Sequence, residues 1–76
     1  MSAKEMFKEL GYIPSIYNNF NETPIEITYI NKLENDKYII FSLVRKQVSV
    51  SPYLDITMQK LQAINKQIEE LGWNKC

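Results

Sequence analysis

Histidine is absent from this 76-residue chain, cysteine occurs once, at the last position, and there are only two glycines. Each shortage removes a class of chemistry. Without an imidazole the chain lacks the side chain that most readily serves as general base and metal ligand near neutral pH. Cys76 has no partner for an intramolecular disulfide, and a lone terminal thiol is not a structural ligand. A chain this short in an oxidising compartment usually carries disulfide staples. The expectation is therefore an intracellular, cytoplasmic protein. An excess of charge of either sign is missing too: nine basic and nine acidic residues cancel to zero. That balance argues against a general nucleic-acid binder, which needs clustered cations to displace counterions from phosphates. It argues equally against an acidic mimic of DNA. Long apolar runs are also lacking. Stretches such as Tyr38 to Phe41 are far too short to cross a bilayer, and Met1-Ser2-Ala3-Lys4-Glu5 does not have the form of a signal peptide. No membrane association is expected.

What is present suffices for a core. The chain is 45% hydrophobic and 24% charged, a balance that suits one folded domain over residues 1–76 rather than a disordered segment. Ser2 followed three residues later by Glu5 has the form of a capping box. Met6, Phe7 and Leu10 then share a face at helical spacing, and Gly11 is placed to end this short helix. Thr57 suits the N-cap of a longer C-terminal helix, with Ile56 and Leu61 as its hydrophobic staple. Met58, Leu61, Ile64, Ile68 and Leu71 form an apolar stripe, and Gln59, Lys60, Gln62, Lys66, Glu69 and Glu70 fall largely on the solvated side. Gly72 ends this helix, and Trp73 is placed to fold back on Ile68.

Between the helices the period changes to two. Ile25, Ile27 and Tyr29 alternate with Glu26 and Thr28, the mark of a strand with one buried face. Glu34-Asn35-Asp36 supplies turn residues. A second strand follows from about Lys37 to Val44, a polar break at Arg45-Lys46, and a third strand from Gln47 to Ser51 that buries Val48 and Val50. Pro14, Asn18, Asn19, Asn21 and Pro24 favour a loop over residues 12–24, although Ile13, Ile16, Tyr17 and Phe20 would also suit a short edge strand. The expected fold is α+β: a short N-terminal helix, a three-stranded antiparallel meander, and a long C-terminal helix packed on the sheet.

No catalytic, cofactor-binding or metal-ligating set emerges. Glu34 and Asp36 form the only close acidic pair outside the helix, and a solvated hairpin turn explains them; their spacing matches no twelve-residue calcium loop. Glu69 and Glu70 point about 100° apart on a helix and cannot face one substrate. Asp55 is placed to favour the helix N-terminus, and Ser42, Ser49 and Ser51 have no histidine to activate them. The residues point away from an enzyme. Arg45-Lys46, with Lys37 and Lys32, would make a small basic edge, and Tyr29 and Tyr38 would offer stacking rings. Lysines that guard sheet edges against aggregation explain the same residues more simply.

The second strand carries the sharpest signal. Ile39, Phe41 and Leu43 project to one face; Tyr38, Ile40 and Val44 project to the other, and Ile30 of the preceding strand joins them. A sheet with one solvated face alternates apolar with polar, and this strand does not. Either a helix or the 12–20 segment covers the second face, or Ile30, Tyr38, Ile40 and Val44 form a patch that meets a partner protein or a second copy of the chain.

The run from Ile56-Thr57-Met58-Gln59-Lys60-Leu61 through Glu69-Glu70-Leu71-Gly72-Trp73, with Met6-Phe7-Lys8-Glu9-Leu10-Gly11-Tyr12 near the start, resembles small uncharacterised proteins encoded by phages and prophages of low-GC Gram-positive bacteria. The likeness covers the two helices and the order of elements. It implies a phage accessory protein acting in the host cytoplasm, and brings no catalytic residues with it. The resulting expectation is a small protein-interaction module that occupies a host or phage protein, such as a component of a defence system. The alternative is a nucleic-acid or nucleotide-binding accessory protein using the Arg45-Lys46 edge.

Overall fold

The computed structural model describes residues 1–73; Cys76 lies outside them. The chain runs α1 (Ala3–Glu9), β1 (Tyr12–Asn18), β2 (Pro24–Asn31), a 3-10 turn (Lys32–Glu34), β3 (Lys37–Ser42), β4 (Gln47–Val50) and α2 (Met58–Leu71). The α+β class and the meander are as expected, but the sheet has four antiparallel strands in the order β1-β2-β3-β4 rather than three. The additional strand is the segment whose prolines and asparagines read as a loop. Ser51 donates its N–H to the Tyr38 carbonyl at 3.0 Å, so the peptide groups of Tyr38 face β4. Alternation turns those of its partner Ile30 toward Ile13 of β1 and leaves Pro14 facing the free edge. A residue without an N–H is harmless there.

Local chemistry sets the helix ends. Ser2 Oγ accepts from the Glu5 N–H at 3.2 Å while the Glu5 carboxylate accepts from the Ser2 N–H at 3.3 Å, completing the capping box. The Ser2 hydroxyl, which donates to the Glu5 carboxylate at 3.0 Å, and then the Ser2 N–H hold the Glu5 carboxyl below its usual pKa. Thr57 Oγ1 accepts from the Lys60 N–H at 3.2 Å. At the other end of α2, Gly72 takes φ 74°, its N–H bonds to the Glu69 carbonyl, and the Trp73 N–H reaches the Ile68 carbonyl at 3.2 Å. That pair of bonds is the Schellman arrangement, and Ile68 and Trp73 both pack against the core beside it.

Both helices lie on one face of the sheet. Phe7 of α1 stacks on Tyr29 of β2 with ring centroids 4.0 Å apart and meets Tyr12 and Phe41 edge-on. Ala63 and Ile64 of α2 join Phe7, Tyr12, Tyr29, Ile39 and Phe41 in one buried cluster. The Ala3 N–H donates to the Glu70 carboxylate at 2.8 Å, tying the helices together.

The buried face of α2 differs from the expected stripe. Lys60, Ala63, Ile64 and Gln67 are buried, whereas Met58 and Leu61 are exposed. The helix is turned so that Gln67 can take the Tyr29 hydroxyl at 2.6 Å and Lys60 can reach the Glu34 carboxylate. Ile64, Ile68 and Leu71 of the expected stripe do pack on the core; its N-terminal members Met58 and Leu61 do not. Val50, at the end of the outermost strand β4, is likewise exposed rather than buried.

Candidate functional site

Pleating sends alternate side chains of each strand to the face away from the helices. The register places Ile13 of β1 beside Ile30 of β2, and Ile30 beside Tyr38 of β3, in one transverse row. Ile40 follows Tyr38 on the same face, opposite Thr28 and Ser49. None of these apolar residues belongs to the core cluster or to the side chains packed against it. The segment 12–18 does not fold over the face but extends it as β1, and α1 and α2 contact each other on the opposite side. Among the described residues, no helix or loop is packed over this row. Ile30, Tyr38 and Ile40 are half-buried, Thr28 between them is buried, and Ile13 and Tyr17 are exposed. The only charged residue of the four strands that points to this side is Glu26, whose carboxylate accepts the Thr28 hydroxyl at 3.4 Å.

Three of the four expected contact residues are therefore brought together, and one is not. Val44 lies in the turn between β3 and β4, 75% exposed, because the strand ends at Ser42 rather than Val44. It sits at the opposite end of the sheet from Ile30 and Tyr38. Ile13, by contrast, completes the row; the sequence offers it for a short edge strand as the alternative to a loop over residues 12–24, but does not place it among the contact residues.

The basic edge does not assemble. Arg45 and Lys46 occupy the turn after β3, whereas Lys32 and Lys37 precede it, about 20 Å away along a six-residue strand. Lys32 pairs with Asp36 at 3.3 Å, and Lys37 Nζ donates to the Tyr53 carbonyl at 3.1 Å. Tyr29 points into the core and Tyr38 to the other face, so the two rings form no common stacking platform. Each carboxylate of the acidic turn is taken by a lysine, Glu34 by Lys60 and Asp36 by Lys32.

The end of the sheet where β2 leaves and β3 enters holds a second feature. A cavity of about 260 Å³ is lined by Glu34, Asn35, Lys37, Leu54, Asp55 and Lys60. Lys60 is 7% exposed, and its ammonium donates to Glu34 Oε2 at 3.3 Å and to the Asp55 carbonyl at 3.1 Å. The Tyr12 hydroxyl is buried beside the Lys60 ammonium and the Asn31 amide, close to both but with no hydrogen bond of good geometry. Burial raises the Tyr12 pKa, opposed by the nearby Lys60 charge and reinforced by Glu34. In the adjacent Asn31 one amide N–H donates to the Leu10 carbonyl at 3.1 Å and the oxygen accepts from the Leu33 N–H at 3.0 Å. Sequence pattern placed Lys60 on the solvated side, Glu34 in a solvated turn and Asp55 at the helix start, and so did not bring the three together. The position of Lys60 in the first turn after Thr57, facing a turn that carries Glu34, was the available signal.

Comparison of the chain with protein-family models, with curated proteins and with solved structures finds no match.

Proposed function

We propose that this chain is a small phage or prophage accessory protein that acts as an interaction module in the host cytoplasm, laying its open sheet face on a host or phage protein. The observation that supports this is the row Ile13, Ile30 and Tyr38, continued by Ile40, on the face opposite both helices. An apolar strip on an uncovered sheet gains free energy by meeting another surface, at about 25 cal/mol per Å² removed from water. With Glu26 its only charge, the face suits an apolar protein surface and offers nothing to phosphates. A component of a host defence system is one such partner. Binding, rather than catalysis, is the chemistry these side chains support, and the phage assignment rests on the resemblance of the two helical segments.

Tagged wild-type chain and Ile40→Asp are used to capture partners from host lysate, with and without nuclease. The reading requires a stoichiometric, nuclease-resistant protein that the wild type holds and folded Ile40→Asp does not. A capture that vanishes with nuclease supports a nucleic-acid ligand instead. A mass of two chains in solution, lost in Ile40→Asp, makes a second copy the occupant.

A further inference from the structure

The two edges of the sheet are guarded unequally. β4 is four residues long and follows directly on Arg45 and Lys46; shortness and charge both keep an edge from pairing with another chain. β1 is seven residues long, and no lysine, arginine, aspartate or glutamate occurs from Leu10 to Asn21. Its apolar side chains are open on both faces. Ile13 and Tyr17 lie on the side away from the helices, and Ile16 lies on the helix side yet is 62% exposed.

The backbone of this edge is unpaired as well. The Leu43 N–H donates to the Ile25 carbonyl at 2.9 Å, which sets the phase of the ladder. Ile13, Ser15 and Tyr17 bond to β2, and the peptide groups of Tyr12, Pro14 and Ile16 face outward. Among the described residues these outward groups have no hydrogen-bond partner. Pro14 is the guard on this edge, since it withholds an N–H.

We infer that β1 pairs antiparallel with β1 of a second copy about a two-fold axis at Ser15, which makes one continuous sheet through both copies. What selects a copy as the occupant is that the strand is complementary to its own reverse. Outward residues must meet outward residues, and the register that overlaps the whole of 12–18 satisfies this. It sets Tyr12 opposite Asn18, and Pro14 opposite Ile16, whose N–H finds the Pro14 carbonyl. On the open face it sets Ile13 against Tyr17, a β-branched residue beside an aromatic, and Ser15 against Ser15, in pairs whose side chains approach most closely. With no charge on the strand, no like charges meet. The neighbouring registers are poorer: one sets Pro14 against Pro14, where neither can donate, and the other carries Tyr12 past the end of the strand. Pro14 thus costs one bond in each pair that it enters and selects the register. The pairing rests on the edge alone and is independent of any partner on the open face.

The test is sedimentation equilibrium of the wild type over a concentration series, beside Ser15→Lys, Ser15→Glu and their equimolar mixture. The wild type is expected to approach the mass of two chains as concentration rises. Each charged variant sets like charges against each other on the axis and should associate at least about tenfold more weakly. The mixture should restore the two-chain species, which variants that had merely failed to fold could not do. Pro14→Val supplies the missing N–H in both Pro14–Ile16 pairs and should tighten association about tenfold. Ile40→Asp, two strands from the edge, should leave it unchanged, which separates this pairing from contact between two open faces. A wild type with the mass of one chain at every concentration, or a dimer lost in Ile40→Asp and kept in Ser15→Lys, overturns the assignment.

Discussion

The Tyr29 hydroxyl donates to Gln67 Oε1 at 2.6 Å, joining a central strand to α2 through the buried layer between them. Tyr29 also stacks on Phe7 of α1, so this one side chain meets both helices. Tyr29→Phe keeps the ring and leaves the buried Gln67 carbonyl without its donor, at an expected cost of about 1–2 kcal/mol in urea unfolding. Adding Gln67→Met removes the orphaned acceptor. The double variant should therefore lose less than the sum of the two single changes.

The same hydroxyl gives a pH signature. Burial, with a smaller contribution from the Glu70 charge, pushes the Tyr29 pKa up to about 12 from 10.0. A folded-state pKa raised in an acid means that the unfolded chain releases its proton first as the pH climbs. The stabilisation is intact below about pH 10 and is lost between about pH 10 and 12. Unfolding curves across that window should fall more steeply for the wild type than for Tyr29→Phe. Equal slopes would place the phenol in contact with water.

The two glycines should respond unequally to alanine. Both take left-handed φ, 92° at Gly11 and 74° at Gly72. A methyl group at Gly72 meets nothing within 4 Å, so the expected cost is the conformational strain alone, about 1 kcal/mol. At Gly11 it meets the Asn31 amide oxygen at 3.3 Å, and that amide is fixed by its bonds to Leu10 and Leu33. Gly11→Ala should therefore lower the melting temperature more than Gly72→Ala.

At the polar end, Tyr12→Phe removes a buried hydroxyl that makes no bond. Thermal unfolding should find this variant as stable as the wild type or up to about 1 kcal/mol more stable. Glu34→Gln, which withdraws the counter-charge of buried Lys60, should destabilise by about 1 kcal/mol, a small value because Glu34 itself is half-exposed.

What could be read from the sequence was chiefly what is local. The capping box of Ser2 and Glu5, the Thr57 cap and the Gly72-Trp73 ending involve residues a few positions apart, and each formed as the spacing indicated. β1 was legible only as the alternative to a loop, because Pro14 and the asparagines favour a loop until their place at a free sheet edge is known. Lys60 was misread for a similar reason. Its ammonium meets Glu34, 26 residues away, a partner that helical periodicity does not show. The open face was half legible. Tyr38 and Ile40 betrayed it by breaking the polar alternation of β3, whereas Ile13 became visible only once β1 was placed, and Val44 left it when the strand ended early.

Adjacent residues on β3 provide the most direct test. Ile39 is 0% exposed beneath the helices, and Ile40 points to the opposite face. The measurement is urea unfolding of Ile39→Asp and Ile40→Asp beside the wild type. The account predicts that Ile39→Asp does not fold, and that Ile40→Asp folds with a loss of about 1–2 kcal/mol, mostly from the poor strand propensity of aspartate. An Ile40→Asp chain that fails to fold as Ile39→Asp does would show that the second face is core, and would contradict the interaction surface on which the proposed function rests.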